Sequence, residues 1–172
     1  RMSTLVEDLL MLARMDQGPK MEIKPVNISE LVSDAVESAR AAAPGHPIEL
    51  ASGNDIYALG DANRIHQVVA NLLANARVHT PVGTNINVSV NQSESEVQVV
   101  VSDNGPGLSE KDREKIFERF YRVDPSRTRS SEEGSGLGLS IVDAVMRAHG
   151  GHVSVDSKLG EGATFTLHFP LN

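Results

Sequence analysis

Two asparagines four residues apart stand in the string Gln67-Val-Val-Ala-Asn71-Leu-Leu-Ala-Asn75-Ala-Arg-Val-His79-Thr80, whose apolar positions repeat with helical period. That spacing lays both amides on one face, at the flank of the apolar stripe. An amide oxygen is a hard, neutral ligand that can join phosphate oxygens and water around Mg2+, an ion that keeps several non-protein ligands. The plainer alternative is a pair of solvated or capping amides. A second group, Asp103-Asn-Gly105-Pro-Gly107-Leu108, follows a Val-rich strand. A carboxylate there can accept from an exocyclic amine, and glycines let the backbone turn and approach a ligand closely. The same residue types are also the commonest turn formers.

A third group, Gly134-Ser135-Gly136-Leu137-Gly138-Leu139, stands where a loop meets a helix, and unpaired N–H groups at such a junction bind phosphate. No Lys-Ser or Lys-Thr pair follows and GxGxxG is not matched, so the P-loop and dinucleotide readings fail. Between the second and third groups run Ile116-Phe117-Glu118-Arg119-Phe120-Tyr121-Arg122 and an aperiodic stretch over 124–133. Phe117, Phe120 and Tyr121 could anchor a flap there, while Arg119, Arg122, Arg127 and Arg129 offer cations to phosphates. A solvated charged helix with core aromatics would carry the same residues.

Elements of helical and strand period alternate along the chain and must position these groups. Met2, Leu5, Leu9 and Leu12 predict a first helix, stopped by Gly18 and Pro19. Asn27 and Glu30 form a capping box for a helix running toward Ala43. Short strands are expected at 48–50 and 56–59, and Asp61 caps the helix that carries Asn71 and Asn75. Alternating valines predict a hairpin over 86–90 and 97–101, and Ser109 caps a short charged helix reaching about Phe120. A helix over 137–149 and two closing strands, with Val153, Val155, Phe165, Leu167 and Phe169, complete the chain.

Bulk composition bounds the partners. The 172 residues allow one well-buried domain plus an appendage. A net charge of −7 disfavours general binding to nucleic acid or anionic membranes, so a polyanionic ligand needs a local site. The 40% apolar content contains no bilayer-spanning run, and the lack of cysteine excludes disulfides and thiolate metal sites; the cytosol is the default compartment. The chain opens on Arg1 inside a helical pattern, without an initiator Met, and is expected to be a fragment of a longer protein.

Taken together and in this order, the four strings resemble the N, G1, F and G2 boxes of sensor histidine kinases, members of the GHKL superfamily of ATPases and kinases that includes gyrase. The likeness covers essentially the whole chain, including the segment Met2 to Asp16, which is similar to the second dimerisation helix, and Gly160-Glu-Gly162-Ala-Thr164-Phe165. It implies an α+β fold, the Bergerat two-layer α/β sandwich. About five strands would form a mixed, mostly antiparallel sheet with about three helices on one face, preceded by one N-terminal helix. Residues 1–18 would be part of the dimerisation domain, 19–27 a linker and 28–172 the catalytic domain.

The resemblance further implies ATP and Mg2+ as cofactors. Asp103 would bond the adenine amino group, Asn75 would coordinate Mg2+ beside Asn71, and His79 would pack on the adenine next to Val78, which stands where many members carry Lys. Gly105, Gly107 and Leu108 would admit the nucleotide, with Tyr121 near it. Gly134, Ser135, Gly136, Leu137, Gly138 and Leu139 would form the lid hinge and the phosphate site, Arg119 or Arg122 would add charge, and Thr164 would close the adenine pocket. The acceptor would be a histidine in a string resembling His-Glu-Leu-Arg-Thr-Pro, and none of the six histidines stands in one. Partners would therefore be an upstream phosphoacceptor helix, a cognate response regulator and a second copy in the full-length protein, which upstream segments would anchor in the cell membrane. Asn71 occupies the place where the ATP-hydrolysing branch commonly has a glutamate base, which favours phosphoryl transfer over hydrolysis. A GHKL ATPase, an anti-sigma or serine kinase and a nucleotide-binding pseudokinase are the alternatives.

Overall fold

The structure, a computed structural model, describes residues 2–18, 20–51, 53–123 and 136–171. In chain order its elements are α1 (Met2–Asp16), β1 (Lys24–Asn27), α2 (Ile28–Ala42), β2 (Ile48–Leu50), β3 (Tyr57–Gly60), α3 (Ala62–Val78), β4 (Ile86–Gln92), β5 (Glu96–Asp103), α4 (Glu110–Lys115), α5 (Gly138–Ala148), β6 (His152–Ser157) and β7 (Ala163–Pro170). Alternation decides which side of each strand is buried. Val97, Val99 and Val101 of β5 and Phe165, Leu167 and Phe169 of β7 face inward, while Gln98, Ser102, Thr164, Thr166 and His168 point the other way.

Five strands pair in the order β2-β4-β5-β7-β6, antiparallel throughout except for the parallel β2–β4 pair. Helices α2, α3 and α5 cover the apolar face with residues such as Val32, Leu72 and Met146, each 0–1% exposed. The two-layer α+β sandwich is therefore as expected. A separate two-stranded sheet joins β1 to β3, with Val26 paired to Ala58. Residues 24–27 are thus a strand, where linker was expected. One buried side chain and a proline in four residues leave no period to read, and Pro25 is tolerated because the strand is an edge.

One further expectation is corrected. The charged helix ends at Lys115 instead of about Phe120, whose left-handed φ of 64° no right-handed helix continues through. The first helix packs on α5, with Met11, Leu12 and Met15 buried in the common core. Val6, Leu9 and Leu10, on its other side, are 40–52% exposed.

The start of α3 is held by several bonds at once. Asp61 Oδ1 accepts the N–H groups of Asn63 (3.1 Å) and Arg64 (3.3 Å), and Oδ2 accepts that of Glu22 (3.0 Å). The Asp61 N–H donates to His149 Nε2 at 3.0 Å. That nitrogen must therefore accept, so the ring proton sits on Nδ1 and donates to Val145 O at 2.8 Å. Burial alone pulls the Asp61 carboxyl upward, but the N–H groups of Glu22, Arg64 and Asn63, together with the Arg64 charge, hold it below its ordinary value of 3.8. Asp61→Ala is expected to lower stability by about 1 kcal/mol at pH 7 in urea unfolding. A carboxyl with a depressed folded-state pKa stabilises above its ordinary value and loses that contribution as pH falls through the lower one. The gap between variant and wild type should therefore close below about pH 3.8. A gap that persists at pH 2 would contradict the ionic cap.

Candidate functional site

The C-terminal half of α3 and the end of β5 meet at one place. Asp103 lies on the helix-covered side of the sheet, in step with Val99 and Val101. Its Oδ1 accepts the Gly105 N–H at 2.9 Å, and the Ala163 N–H, across the register in β7, also bonds it. Burial pushes the Asp103 carboxyl above its ordinary value, against the lowering pull of those two N–H groups and of His79. His79, the exposed C-cap of α3, is thus electrostatically close to this carboxylate. Along the same face of α3, Asn71 donates from Nδ2 to Gly138 O at 3.3 Å, which ties α3 to the first residue of α5. Half-buried Asn75, one turn on, keeps its amide without a partner among the described residues.

The loop after β5 is locked into the turn that precedes β7. Gly107 has φ +72°, and a Cβ there would stand 2.1 Å from Lys158 O; Gly162 has φ +79°, and its Cβ would stand 2.0 Å from Asp103 O. The N–H of Gly160 donates to Pro106 O at 2.7 Å. Ser157, 6% exposed, joins the two loops, because its Oγ accepts the Leu108 N–H (2.8 Å) and donates to Gly162 O (2.7 Å). Backbone can approach backbone here only because the side chains are absent.

At the start of α5, Leu137 occupies the cap position without any side-chain cap hydrogen bond, and nothing lies within 4 Å of where a Gly138 Cβ would be. A helix N-terminus whose cap residue supplies no side-chain bond is the kind of place that accepts an anion, and α5, eleven residues long, has one. Gly136, at φ +76°, accepts the Phe120 N–H at 3.0 Å. Leu139 packs partly buried against the core. Gly134, Ser135, Arg127, Arg129 and the rest of 124–133 lie outside the described residues.

Not every residue named from sequence joins this site. Thr164 is on the uncovered face of the sheet, where its Oγ1 lies 3.0 Å from Ser102 Oγ. Ala163 is the β7 residue beside Asp103, and the alternation of Phe165, Leu167 and Phe169 already carried that parity. Val78 lines a different cleft of about 310 Å3 with Ala42, His46 and Val82. A groove of about 510 Å3 lies at the opposite end of α3, beside Asp61 and Glu30, away from Asp103.

Arg119 donates from one nitrogen to both carboxylate oxygens of Asp16 in α1, at 2.9 and 2.8 Å. The ion pair is about half exposed, worth at most about 1 kcal/mol, and so leaves the arginine recruitable. The Tyr121 hydroxyl donates to Asp112, which also accepts from the Ser109 hydroxyl at 2.9 Å; this ties the segment after α4 to that helix's cap. Phe117 packs edge-on to Phe165 at 6.3 Å, whereas Phe120 is 55% exposed. Arg122 follows on the same segment, half-buried.

Sequence reading did not anticipate Ser157, His46 or Thr80, whose bonds hold the loops of this site. Each is a single polar residue in a loop or at a strand end, with no period to reveal it. Among the described residues no cluster of three or more His, Cys, Asp or Glu could hold a metal.

The sequence profile of the histidine kinase-, DNA gyrase B- and HSP90-like ATPases matches residues 60–172. The probable sensor histidine kinase TcrY of Mycobacterium tuberculosis is 45% identical over 173 residues, spanning 100% of this chain and 36% of TcrY. The sensor histidine kinase RppB of Synechocystis is 35% identical over 175 residues, 99% of this chain and 38% of RppB. The chain thus spans little more than a third of these curated relatives. Among solved structures, the mycobacterial sensor histidine kinase MprB is 30% identical with a TM-score of 0.75, over 86% of this chain and 97% of that one. Full-length ShkA in complex with AMPPNP is 32% identical with a TM-score of 0.83, over 96% of this chain and 35% of that one. With the profile matched over residues 60–172, well over half of its length, the chain belongs to the family of histidine kinase-, DNA gyrase B- and HSP90-like ATPases.

Proposed function

We propose that this chain is the ATP-binding catalytic region of a two-component sensor histidine kinase, which passes the γ-phosphoryl group to a histidine on a dimerisation helix. The observation that carries the reading is the pairing of a partly buried, hydrogen-bonded carboxylate, Asp103, with the N-terminus of α5, whose cap residue supplies no side-chain bond, on either side of α3. Base and phosphates then have separate recognition points. Asp103 accepts from the adenine amino group while Gly105 and Gly107 admit the ring. His79 packs on the base, and the N–H groups at the start of α5 receive the phosphates. Leu108, Leu139 and Tyr121 frame the site.

Asn75 fits a magnesium ion brought in on the polyphosphate, because its amide is uncommitted and the described residues supply no carboxylate cage. Bound there, the ion would neutralise charge on the phosphates. Asn71 is held by Gly138 and cannot take a proton from water, so the geometry favours an external nucleophile over hydrolysis. Arg119, turning from Asp16, and Arg122 supply cations to the transferred group. Gly134, Ser135 and Gly136 belong to the lid in this reading. The acceptor histidine, the response regulator, the second copy and the membrane anchor belong to the rest of the protein. None of the described helices is long and apolar enough to cross a membrane.

The test is to supply the parent's dimerisation domain together with radiolabelled Mg-ATP. Acid-labile phosphohistidine should appear on the added domain and none on this chain, and Asn75→Ala should lower the rate at least about 30-fold through lost metal and phosphate positioning. Steady ATP hydrolysis without an acceptor would instead point to an ATPase.

A further inference from the structure

Outside the shelf between α3 and β5, the polar side chain best placed to act on it from a distance is His46, 7% exposed in the 44–47 loop after α2. Its Nε2 lies 3.0 Å from Thr80 Oγ1 and 3.3 Å from the Thr80 carbonyl. Thr80 Oγ1 donates its own proton to Ala76 O, 2.6 Å away, so toward His46 it can only accept. The ring proton is therefore on Nε2. Two backbone bonds hold the same loop to the segment after α3: Gly83 N–H to Gly45 O at 2.8 Å and Ile86 N–H to Pro47 O at 2.9 Å. With its hydroxyl bonded on both sides, Thr80 is confined to one rotamer.

The Thr80 methyl points at the nucleotide loop. A Cβ on Gly105 would stand 2.5 Å from Thr80 Cγ2 and 3.2 Å from Thr80 Cβ, so the Gly105 backbone rests against this side chain. The Gly105 N–H in turn holds Asp103 Oδ1 at 2.9 Å. A continuous line of contacts thus runs from His46 through Thr80 and Gly105 to the carboxylate that reads the base.

We infer that His46 is a positioning residue for base recognition: it fixes Thr80, Thr80 backs Gly105, and Gly105 aims Asp103 at the exocyclic amine. The inference rests on the proposed adenine contact of Asp103. It assigns His46 a part in discriminating purines that carry an amine from those that lack one, with no contact to the nucleotide itself. Thr80 does this through its methyl group and His46 through its N–H.

The experiment measures affinity for Mg-ATP and for the triphosphate of purine riboside, which lacks the amine, on the whole chain by calorimetry, alongside melting temperatures. His46→Phe fills the space without a donor. It should weaken ATP about fivefold, the worth of one hydrogen bond, and leave the purine riboside triphosphate within about twofold. His46→Gln, which can present an N–H near the Nε2 position, should restore the ATP value. Thr80→Ser, which keeps the hydroxyl and removes the methyl, should lose ATP affinity as His46→Phe does. Equal weakening toward both nucleotides, unchanged ATP affinity in Thr80→Ser at a native melting temperature, or failure of His46→Gln to recover would each overturn the inference. If the wild-type chain itself does not prefer ATP over the analogue, the base-contact reading of Asp103 fails first, and this is distinguishable from a failure confined to the variants.

Discussion

Asp103→Ala is expected to abolish tight ATP binding, lowering affinity about 100-fold, because a hydrogen bond to a charged acceptor is lost from a partly desolvated site. Asp103→Asn should lose nearly as much. Its Oδ1 would stay with the Gly105 N–H, and Nδ2 would then meet the adenine amine donor to donor. Stability should move the other way. Burial raises the Asp103 pKa, so the folded state binds its proton more tightly than the unfolded chain does. An acid of that kind weakens the fold as pH rises from its ordinary pKa through the raised one, and its charge is unfavourable at pH 7. Asp103→Asn, which removes the charge and keeps an acceptor, should melt no lower than the wild type at pH 7. The same shift predicts that ATP affinity begins to fall on acidification above pH 3.8, the ordinary value, and that Asp103→Asn shows no such inflection. Calorimetric titration across pH, with melting curves, tests all three points. An Asp103→Ala protein within threefold of wild type would remove the base contact from the mechanism.

Gly162→Ala carries the second large effect. The residue has φ +79°, and an added Cβ would stand 2.0 Å from Asp103 O and 3.0 Å from Asn104 Cα. Both obstacles are backbone, so relief requires moving the loop that carries Asp103. The left-handed conformation alone disfavours a side chain by about 1–2 kcal/mol. With the overlap added, a loss of roughly 3–5 kcal/mol is expected, which lowers the melting temperature of a chain this size by about 10 °C. ATP binding should fall with it. Gly160→Ala is the internal control, since φ is +83° but nothing lies within 4 Å of its Cβ. It should show only the conformational part, about 1 kcal/mol, with ATP affinity kept. Equal behaviour of the two variants would mean that the interlock between the loops does not position Asp103.

Local period was enough for the elements that hold most of the site. The stripe of Ile65, Val68, Val69, Leu72 and Leu73 specifies α3 and sets Asn71 and Asn75 at its flank, because helical geometry leaves those positions no other side to occupy. The alternating valines specify β5 and carry Asp103 to its end on the covered side. Thr164 lies on the other face from Asp103, as the parity of Phe165, Leu167 and Phe169 in β7 dictates, although the Gly160 to Phe165 motif by itself points it at the ligand.

What no local pattern reached are contacts between residues far apart in the chain. His46 meets Thr80, Ser157 joins Leu108 to Gly162, His149 receives the Asp61 N–H, and Asp16 holds Arg119. Each pairs one polar group with another over a separation that periodicity does not encode, and each becomes definite only when the sheet register and the helix layer bring the two together. The sequence by itself determined the helices, the main strands, the nucleotide motifs and the lack of an acceptor motif, since these depend on spacing within a segment. The tertiary structure alone decided that Asp103, Gly105 and the end of α3 come together, that α1 lies on α5, and which distant side chains hold the Asp103 loop in place. The physical reason is that a buried polar group must find a partner, and only the folded chain determines which one is within reach.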